Sequence, residues 1–242
     1  MPDEARRSFH QQLDEVKTDI VRLAAMTTET IPRATQALLD SDLSAAQQII
    51  DDDDIIDQQS IEVEEACLRL LALQQPMASD LRAVMTAIKL NWDLERSADL
   101  AVNICKTVRR IYGVTLTPQV RGIIEQMSEE AYRLMRLSVD AYMDANLALA
   151  AALDDMDDRL DALQADFVKA IFDAHEREQM PLGSAVQLAL VGRYYERIGD
   201  HAVNIGERVQ YMVSGWLPEH TGAARAEAKT RSEPDRSEPE GT

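Results

Sequence analysis

The sequence predicts an all-α protein built as a tandem repeat of two three-helix bundles, with six long helices related by a pseudo-twofold. Only 9 glycines occur among 242 residues and the first is Gly113, which is hard to reconcile with the turns of a β-rich fold. Aromatic residues make up 5% of a chain that is 45% hydrophobic, so the apolar content is mostly aliphatic and suits close-packed helices. The third observation is an internal repeat, which emerges when the elements are taken in order.

The first half of the chain reads as three helices separated by prolines. In the first helix the apolar residues follow at steps of four and three, the spacing of a face that packs on neighbouring helices: Phe9, Leu13, Val16, Ile20 and Leu23. Pro32 predicts a kink or a break in that helix. A second helix is expected over about residues 42–73, and a third over about residues 77–112.

The second half repeats this order after a linker, GVTLTP, at residues 113–118. A fourth helix is expected over about residues 119–143, a fifth over 146–175 and a sixth over 182–213. One apolar stripe of the fourth helix contains Ile124, Met127, Ala131 and Leu134. From Pro218 onward the chain has no large apolar residue. The predicted domains are therefore residues 1–113, residues 114–216 and a disordered acidic tail at residues 217–242.

The two halves are related by sequence as well as by element order. ERSADLAVNICKTV at residues 95–108 aligns with ERIGDHAVNIGERV at residues 196–209, an offset of 101 with 8 of 14 positions identical. When the offset is carried back without a gap, Asp53 and Asp57 align with Asp154 and Asp158. Each half is thus expected to carry a DxxxD motif on its second helix and an ExxxD motif on its third: Glu95 and Asp99, then Glu196 and Asp200.

Both ExxxD motifs continue a heptad-like seam, which predicts that their carboxylates lie in phase with the core. In the third helix the other members of the seam are Leu81, Met85, Ile88, Trp92 and Val102. In the sixth helix they are Leu182, Val186, Ala189, Arg193 and Val203.

An antiparallel hairpin centred near Pro76, and a second one centred near Arg177, would each bring four carboxylates together. The facing pairs would be Asp57 with Glu95, Asp53 with Asp99, Asp158 with Glu196 and Asp154 with Asp200. One such pair at 4 Å repels by roughly 4 kcal/mol at an effective dielectric constant near 20. Protonation relieves this repulsion, and a multivalent cation relieves it better, because oxygen-rich clusters suit Mg²⁺, Ca²⁺, Mn²⁺ or iron. The sequence therefore predicts a metal site in each hairpin.

Plainer interpretations of the charged residues stay open. Asp51 and Asp52, which begin the run DDDDIID, have no acidic counterparts in the second repeat and are predicted to be solvated surface charge. The acidic motifs could instead be held by structural ion pairs, for which Arg96 and Arg197 are available. His201 has no counterpart in the first repeat and is predicted to be a surface or core histidine.

Composition excludes several classes of partner. The net charge is −18, with 43 acidic and 25 basic residues, which argues against nucleic-acid binding and against attraction to anionic lipid. The polar start MPDEARRSFHQQ shows no secretory signal, and no apolar run is long enough to span a membrane. Cys67 and Cys105 lie on apolar faces, so they are predicted to be reduced core residues of a cytoplasmic protein.

The paired motifs carry a family resemblance. Two copies of E-R-x-x-D-x-x-x-N, together with EEACLRLLALQQPMASDLRAVM at residues 64–85, resemble the PhoU family, the accessory regulators of bacterial phosphate uptake. The resemblance covers about residues 5–215. Ser97-Ala98 replaces the usual Ile-Gly within the first motif, whereas Ile198-Gly199 keeps it, so the two sites need not be equivalent.

The resemblance implies a cytoplasmic protein that is not an enzyme. It would act as a negative regulator that links the ATPase subunit of the phosphate ABC transporter to a sensor histidine kinase. It would form a homodimer of paired three-helix bundles and bind divalent or trivalent metal ions (iron, manganese, magnesium or zinc). The ligands implied are Asp53, Asp57, Glu95 and Asp99 at one site, and Asp154, Asp158, Glu196 and Asp200 at the other.

Two other functions remain as alternatives to this interpretation. A carboxylate-bridged metalloenzyme, either a phosphohydrolase or an oxidase, would need a general base in a pocket, and the sequence offers none beyond the ligands themselves. A ferritin-like oxidase is disfavoured because no Glu-x-x-His lies on a seam. The second alternative is a purely structural helical scaffold with buried ion pairs.

Overall fold

The computed structural model describes the backbone of residues 2–216 and the side chains of residues 7–216. This part of the chain forms six α-helices and no strand. The helices are α1 Pro2–Leu39, α2 Leu43–Gln74, α3 Ser79–Arg110, α4 Pro118–Met143, α5 Leu147–Glu176 and α6 Leu182–Ser214. The predicted all-α class and tandem repeat are confirmed. The predicted disordered tail, residues 217–242, lies outside the described residues.

α1 continues through Pro32, so the predicted break does not occur. A proline inside a helix costs about 3 kcal/mol, because it removes one backbone donor and crowds the preceding turn. The neighbouring Ile31 and Ala34 are fully buried in the bundle. Packing of this face of α1 therefore holds the helix together across the proline. The predicted apolar face of α1 is confirmed, with Phe9, Val16, Ile20 and Leu23 all buried.

The helix starts show how polar residues fix the element boundaries. Asp42 caps α2 by accepting hydrogen bonds from the backbone of Ser44 and Ala45. Asn146 caps α5 in the same way, and Thr117 caps α4, which has Pro118 at its first position. Such side-chain acceptors satisfy backbone donors that have no partner within the helix.

Four helices form the centre of the molecule and two lie outside it. α1 packs on α3 and α4, and α6 packs on the same two helices. α2 packs on α1 and α3, while α5 packs on α4 and α6. A buried polar network joins three of the central helices: the Tyr195 hydroxyl lies 2.6 Å from the Thr35 hydroxyl, which donates to Ser128 at 2.7 Å.

α3 and α6 run antiparallel and join the two repeats. Arg82, near the start of α3, donates to the carbonyl of Met212 near the end of α6 at 3.2 Å. Near the middle, His201 Nδ1 lies 2.8 Å from Asp93 Oδ1. At the far end, Arg110 donates to Gln187 at 3.1 Å.

The alignment of the two repeats requires two different offsets in residue number. The buried stripe of α3 recurs in α6 after 101 residues, as with Val84 and Ala185 or Leu94 and Tyr195. The N-cap Asp42 recurs after 104 residues as Asn146, and the buried stripe of α2 follows it: Ala46, Ile49, Ile56, Val63, Cys67 and Leu70 become Ala150, Leu153, Leu160, Phe167, Ile171 and Ala174. The chain between facing residues is therefore three residues shorter in the second hairpin than in the first.

Candidate metal centres

The ExxxD motifs do not lie in the core stripe, and the predicted seam of α3 is buried only at Ile88 and Val102 among its apolar members. Leu81, Met85 and Trp92 are 40%, 38% and 50% exposed. The buried stripe of α3 instead contains Val84, Ala87, Leu94, Ala98 and Ala101. Glu95 and Asp99 lie beside this stripe, at the edge of the α2–α3 groove. The periodicity of apolar residues does not distinguish the buried stripe of α3 from the exposed apolar stripe beside it.

In the first repeat the four predicted side chains lie within range of one another's charge. Burial raises the pKa of Asp53 to about 6, and the charges of Asp57, Asp99 and Glu95 add to the rise. The pKa values of Glu95 and Asp57 are also raised, first by burial and then by Asp99. The register of the hairpin is fixed by Asn91, which donates to the Ser60 carbonyl at 3.0 Å. The four carboxylates of this hairpin therefore lie close enough for their charges to act on one another.

The second repeat places different residues of α5 opposite α6. Asp157 is only 9% exposed, and a Cβ on Gly199 would lie 2.2 Å from its Oδ1. Burial raises the pKa of Asp157 to about 7, and among the neighbouring charges Asp161 and Asp200 contribute more than Asp154 and Asp158. Asp157 thus lies at the centre of this cluster.

The gap-free alignment of the two DxxxD motifs is therefore wrong by three residues. At the offset of 104 that governs α2 and α5, Asp53 and Asp57 correspond to Asp157 and Asp161. Asp154, Asp158 and Asp161 are all exposed on α5, as Asp57 is on α2, so the assignment rests on this register and on the burial of Asp157. The paired N-caps and the buried stripe could have revealed this offset, because both are visible as sequence patterns.

Arginines neutralise part of each cluster. Arg96 donates to Asp99 at 2.9 Å, as one of the plainer interpretations predicted. In the second repeat Glu196 pairs with Arg193, not with Arg197. Both are contacts within one helix, between residues three apart. Such contacts leave the other carboxylate oxygens available.

His201 from the second repeat lies beside the first cluster. Its Nδ1 lies 2.8 Å from Asp93 Oδ1, its side chain is 13% exposed, and its charge lowers the pKa of Glu95. The prediction of a core or surface histidine missed this contact between repeats. No signal in one sequence would have found it, since residue 100, which aligns with His201, is leucine.

The start of the acidic run behaves differently from its end. Asp51 is exposed and accepts from Gln47 within the helix. Asp52 was predicted to be solvated, but it pairs with Arg33 of α1 at 2.9 Å, and this hydrogen bond lowers its pKa. Asp52 therefore links α2 to α1.

The donor atoms fit a hard cation. Three buried carboxylate oxygens have no hydrogen-bond partner among the described residues: Asp53 Oδ1, Asp157 Oδ1 and Glu196 Oε2. Unpartnered buried carboxylate oxygens are costly, and metal ligation is one way to satisfy them. Within residues 7–216, however, no three His, Cys, Asp or Glu side chains converge closely enough to form a ready-made metal site. The carboxylates are gathered in each cluster but are not yet oriented around one point.

Other predictions concern the surroundings of the sites. Cys67 and Cys105 are buried and free, as predicted, and burial raises the pKa of each thiol to about 12. Among the described residues, none of the helices combines the length and apolarity needed to cross a membrane.

Comparison with known proteins identifies the repeat. The model of the PhoU domain matches the chain twice, at residues 20–108 and 124–209. The chain belongs to the PhoU family. The two matches correspond to the two helical repeats, so each repeat is one PhoU domain.

Curated relatives match most of the chain. The phosphate-specific transport system accessory protein PhoU homolog 1 of Mycobacterium tuberculosis is 36% identical over 214 residues, which cover 88% of this chain and 96% of the relative. PhoU homolog 2 of the same organism is 33% identical over 214 residues, covering 88% of this chain and all of the relative.

Solved structures show the same architecture. The crystal structure of PhoU from Pseudomonas aeruginosa matches with a TM-score of 0.80 and 27% identity, covering 86% of this chain and 100% of that one. The phosphate transport system regulatory protein PhoU from Streptococcus pneumoniae matches with a TM-score of 0.79 and 28% identity, covering 86% and 98%. Both comparisons span the two repeats together.

Proposed function

We propose that this protein is a cytoplasmic negative regulator of phosphate uptake and of phosphate-starvation signalling. It acts without catalysis, as a metal-binding adaptor between the ATPase subunit of a phosphate ABC transporter and a sensor histidine kinase. Membership of the PhoU family and the names of its relatives support the role in phosphate transport. The observation that carries the metal-binding part is the recurrence of four carboxylates, with unpartnered buried oxygens, at equivalent places in both repeats.

The metal ligands we propose follow the register of the structure. Asp53, Asp57, Glu95 and Asp99 would hold divalent or trivalent ions in the first repeat. In the second repeat the ligands would be Asp157, Asp161, Glu196 and Asp200, with Asp154 and Asp158 outside the site. The bound ion would neutralise the mutual repulsion of the carboxylates and tie α2 to α3, and α5 to α6.

Metal uptake tests this assignment, and the second hairpin offers a matched control. The protein is stripped with a chelator, reloaded with iron, manganese, magnesium or zinc, and analysed for bound metal. Asp157→Asn/Asp161→Asn should lose the metal of one repeat, whereas Asp154→Asn/Asp158→Asn, with the same charge change on the same helix, should keep it. Equal loss from both variants, or no stoichiometric uptake by the wild type, would refute the assignment.

The regulatory part needs a separate test in cells. Deleting the gene should switch on phosphate-starvation genes in phosphate-replete medium, and the wild-type chain should restore repression. An unchanged response after deletion would rule out the negative-regulator role. Pull-downs under high and low phosphate, probed for the transporter ATPase and the sensor kinase, would test the adaptor role.

A further inference from the structure

Both repeats expose large apolar side chains at equivalent positions on the hairpin surface. Such pairs include Leu43 with Leu147 and Tyr112 with Val213. Three more lie toward the hairpin turns: Leu68 with Phe172, Met85 with Val186, and Leu81 with Leu182. Their exposed fractions are 52% and 60%, 38% and 52%, and 40% and 60%. Single exposed apolar residues are ordinary, but these three positions are exposed and apolar in both repeats. We refer to these two groups of three residues as the apolar ends.

The apolar ends lie on the same side of each hairpin as the carboxylates. Asn91 and Ser60 mark the line where α3 and α2 face each other. Viewed from one end, two antiparallel helices wind in opposite senses. The residue that follows Asn91 in α3 and the residue that follows Ser60 in α2 therefore point to the same side of the helix pair. Trp92 and Ile61, each one step forward, are 50% and 51% exposed on that side. Met85 and Leu68 lie further along the same side toward the hairpin turn, and Glu95 and Asp57 lie along it in the opposite direction.

The antiparallel contact of α3 with α6 sets the order of these features along the molecule. The two helices cross at Asp93 and His201, and both carboxylate clusters lie close to this crossing. Leu81 lies at the start of α3 and Leu182 at the start of α6. Because the two helices are antiparallel, the two apolar ends lie on opposite sides of this contact along the helix axes. At 1.5 Å per residue, the two apolar ends are about 45 Å apart, with the acidic clusters between them.

Charge decides what such a surface can contact. A second copy of the chain placed symmetrically on this face would bring its own acidic clusters against these. That contact would be repulsive, in a protein whose net charge is already −18. A partner with basic side chains beside an apolar stripe complements both parts of the surface.

We propose that this face docks a basic amphipathic helix of a partner protein, with its apolar stripe on one apolar end. Its lysines or arginines would lie over exposed carboxylates of the face that are not proposed metal ligands, such as Asp54 and Asp158. The two repeats offer two such places. The inference goes beyond the regulatory role proposed above, since it requires neither bound metal nor phosphate. Its failure would leave the metal assignment and the signalling role unaffected.

A synthetic peptide tests the docking surface directly. A fluorescently labelled 18-residue helix with a leucine face and a lysine face is titrated with the full chain after chelator treatment, and binding is followed by anisotropy. Met85→Glu/Val186→Glu should weaken binding at least tenfold. The added negative charge would by itself attract the lysines, so a loss of affinity reports the lost apolar contact. Ile55→Glu/Met143→Glu introduces the same two charges at apolar residues that are 60% and 41% exposed outside the face, and should change the Kd less than twofold.

A second peptide and a second measurement complete the test. The same peptide with glutamate in place of lysine should not bind, because the face carries carboxylates. Equal affinity for both peptides, or no loss in Met85→Glu/Val186→Glu, would overturn the proposal. Sedimentation velocity covers the remaining possibility: a wild-type dimer that Met85→Glu/Val186→Glu dissociates would assign the face to a second copy and also overturn it.

Discussion

The two repeats hold their carboxylates in the same place with different packing. In the first, Ala98 lies on α3 at the position where the second has Gly199 on α6, and Asp53 is half-buried. In the second, the absence of a Cβ at Gly199 lets Asp157 pack against the backbone of α6 and become 91% buried, with 9% exposed. The two positions therefore differ both in the methyl group on the facing helix and in the burial of the carboxylate.

This difference in packing explains the difference in charge properties. Burial is the main cause of the raised pKa at both positions, and it raises the pKa of Asp157 to about 7 but that of Asp53 only to about 6. The two clusters, which contain the same residue types, thus differ in how strongly burial favours the protonated form of Asp157 and of Asp53. Substitutions at the differing positions can test whether this comparison is correct.

The largest expected effect comes from filling the space at Gly199. A Cβ there would overlap Asp157 Oδ1 at 2.2 Å and Leu160 at 2.7 Å. Gly199→Ala should lower the free energy of unfolding by about 2–3 kcal/mol, as overpacking does, and abolish metal uptake by the second repeat only. Urea unfolding and metal analysis check both outcomes.

Another helical glycine serves as the control for this substitution. Gly122 in α4 has no atom within 4 Å of a built Cβ, so Gly122→Ala should stabilise the protein by about 0.5–1 kcal/mol through helix propensity. If both substitutions stabilise, Asp157 is not held against Gly199, and the contrast between the repeats fails.

The next effect is a pH dependence that should be stronger for the second repeat. The pKa of Asp157 is about 7 in the folded chain and near 3.8 when unfolded, so the folded state holds the proton to higher pH. The chelated protein therefore loses stability as pH rises from about 4 to about 7. Asp157→Asn removes this loss, and its gain over the wild type should be on the order of 1–2 kcal/mol at pH 8 and close to zero at pH 4.

Asp53→Asn gives the matching measurement in the first repeat. Its gain should have the same sign but be smaller, because the folded pKa of Asp53 is raised only to about 6. Unfolding curves at several pH values check both variants. A pH-independent difference for Asp157→Asn, or a larger one for Asp53→Asn, would contradict the comparison.

The helices of both repeats were predictable from the sequence, but the residues of α5 that face α6 were not. Helix ends were predictable because local signals mark them, as Asp42 and Asn146 do. In the first hairpin the residues expected to face each other follow from a simple antiparallel pair of helices. The second cluster was misplaced because the repeat was aligned on α3 and α6 alone, and the shorter second hairpin shifts α5 by three residues. The exposure of Leu81 and Met85 depends on how α3 tilts against three neighbours, which periodicity does not report.

The smallest expected effect concerns the contact of α1 with α2. Arg33 and Asp52 pair at 2.9 Å with side chains that are 49% and 34% exposed. The equivalent positions of the second repeat, 104 residues on, hold Leu137 and Met156, which pack against the core. An exposed ion pair contributes about 0–1 kcal/mol, so Asp52→Asn should cost about 0.5 kcal/mol at low salt and nothing in 1 M salt.

The second repeat also supplies the replacement for this pair. Arg33→Leu/Asp52→Met places the apolar residues of the second repeat at these positions, and should recover the stability lost in Asp52→Asn, because apolar burial is not screened by salt. Thermal melts at low and high salt measure the difference between the two variants. A double variant less stable than Asp52→Asn at both salt concentrations would show that the α1–α2 contact is not interchangeable with that of α4 and α5. In that case the likeness of the repeats would be limited to the hairpins that carry the carboxylates.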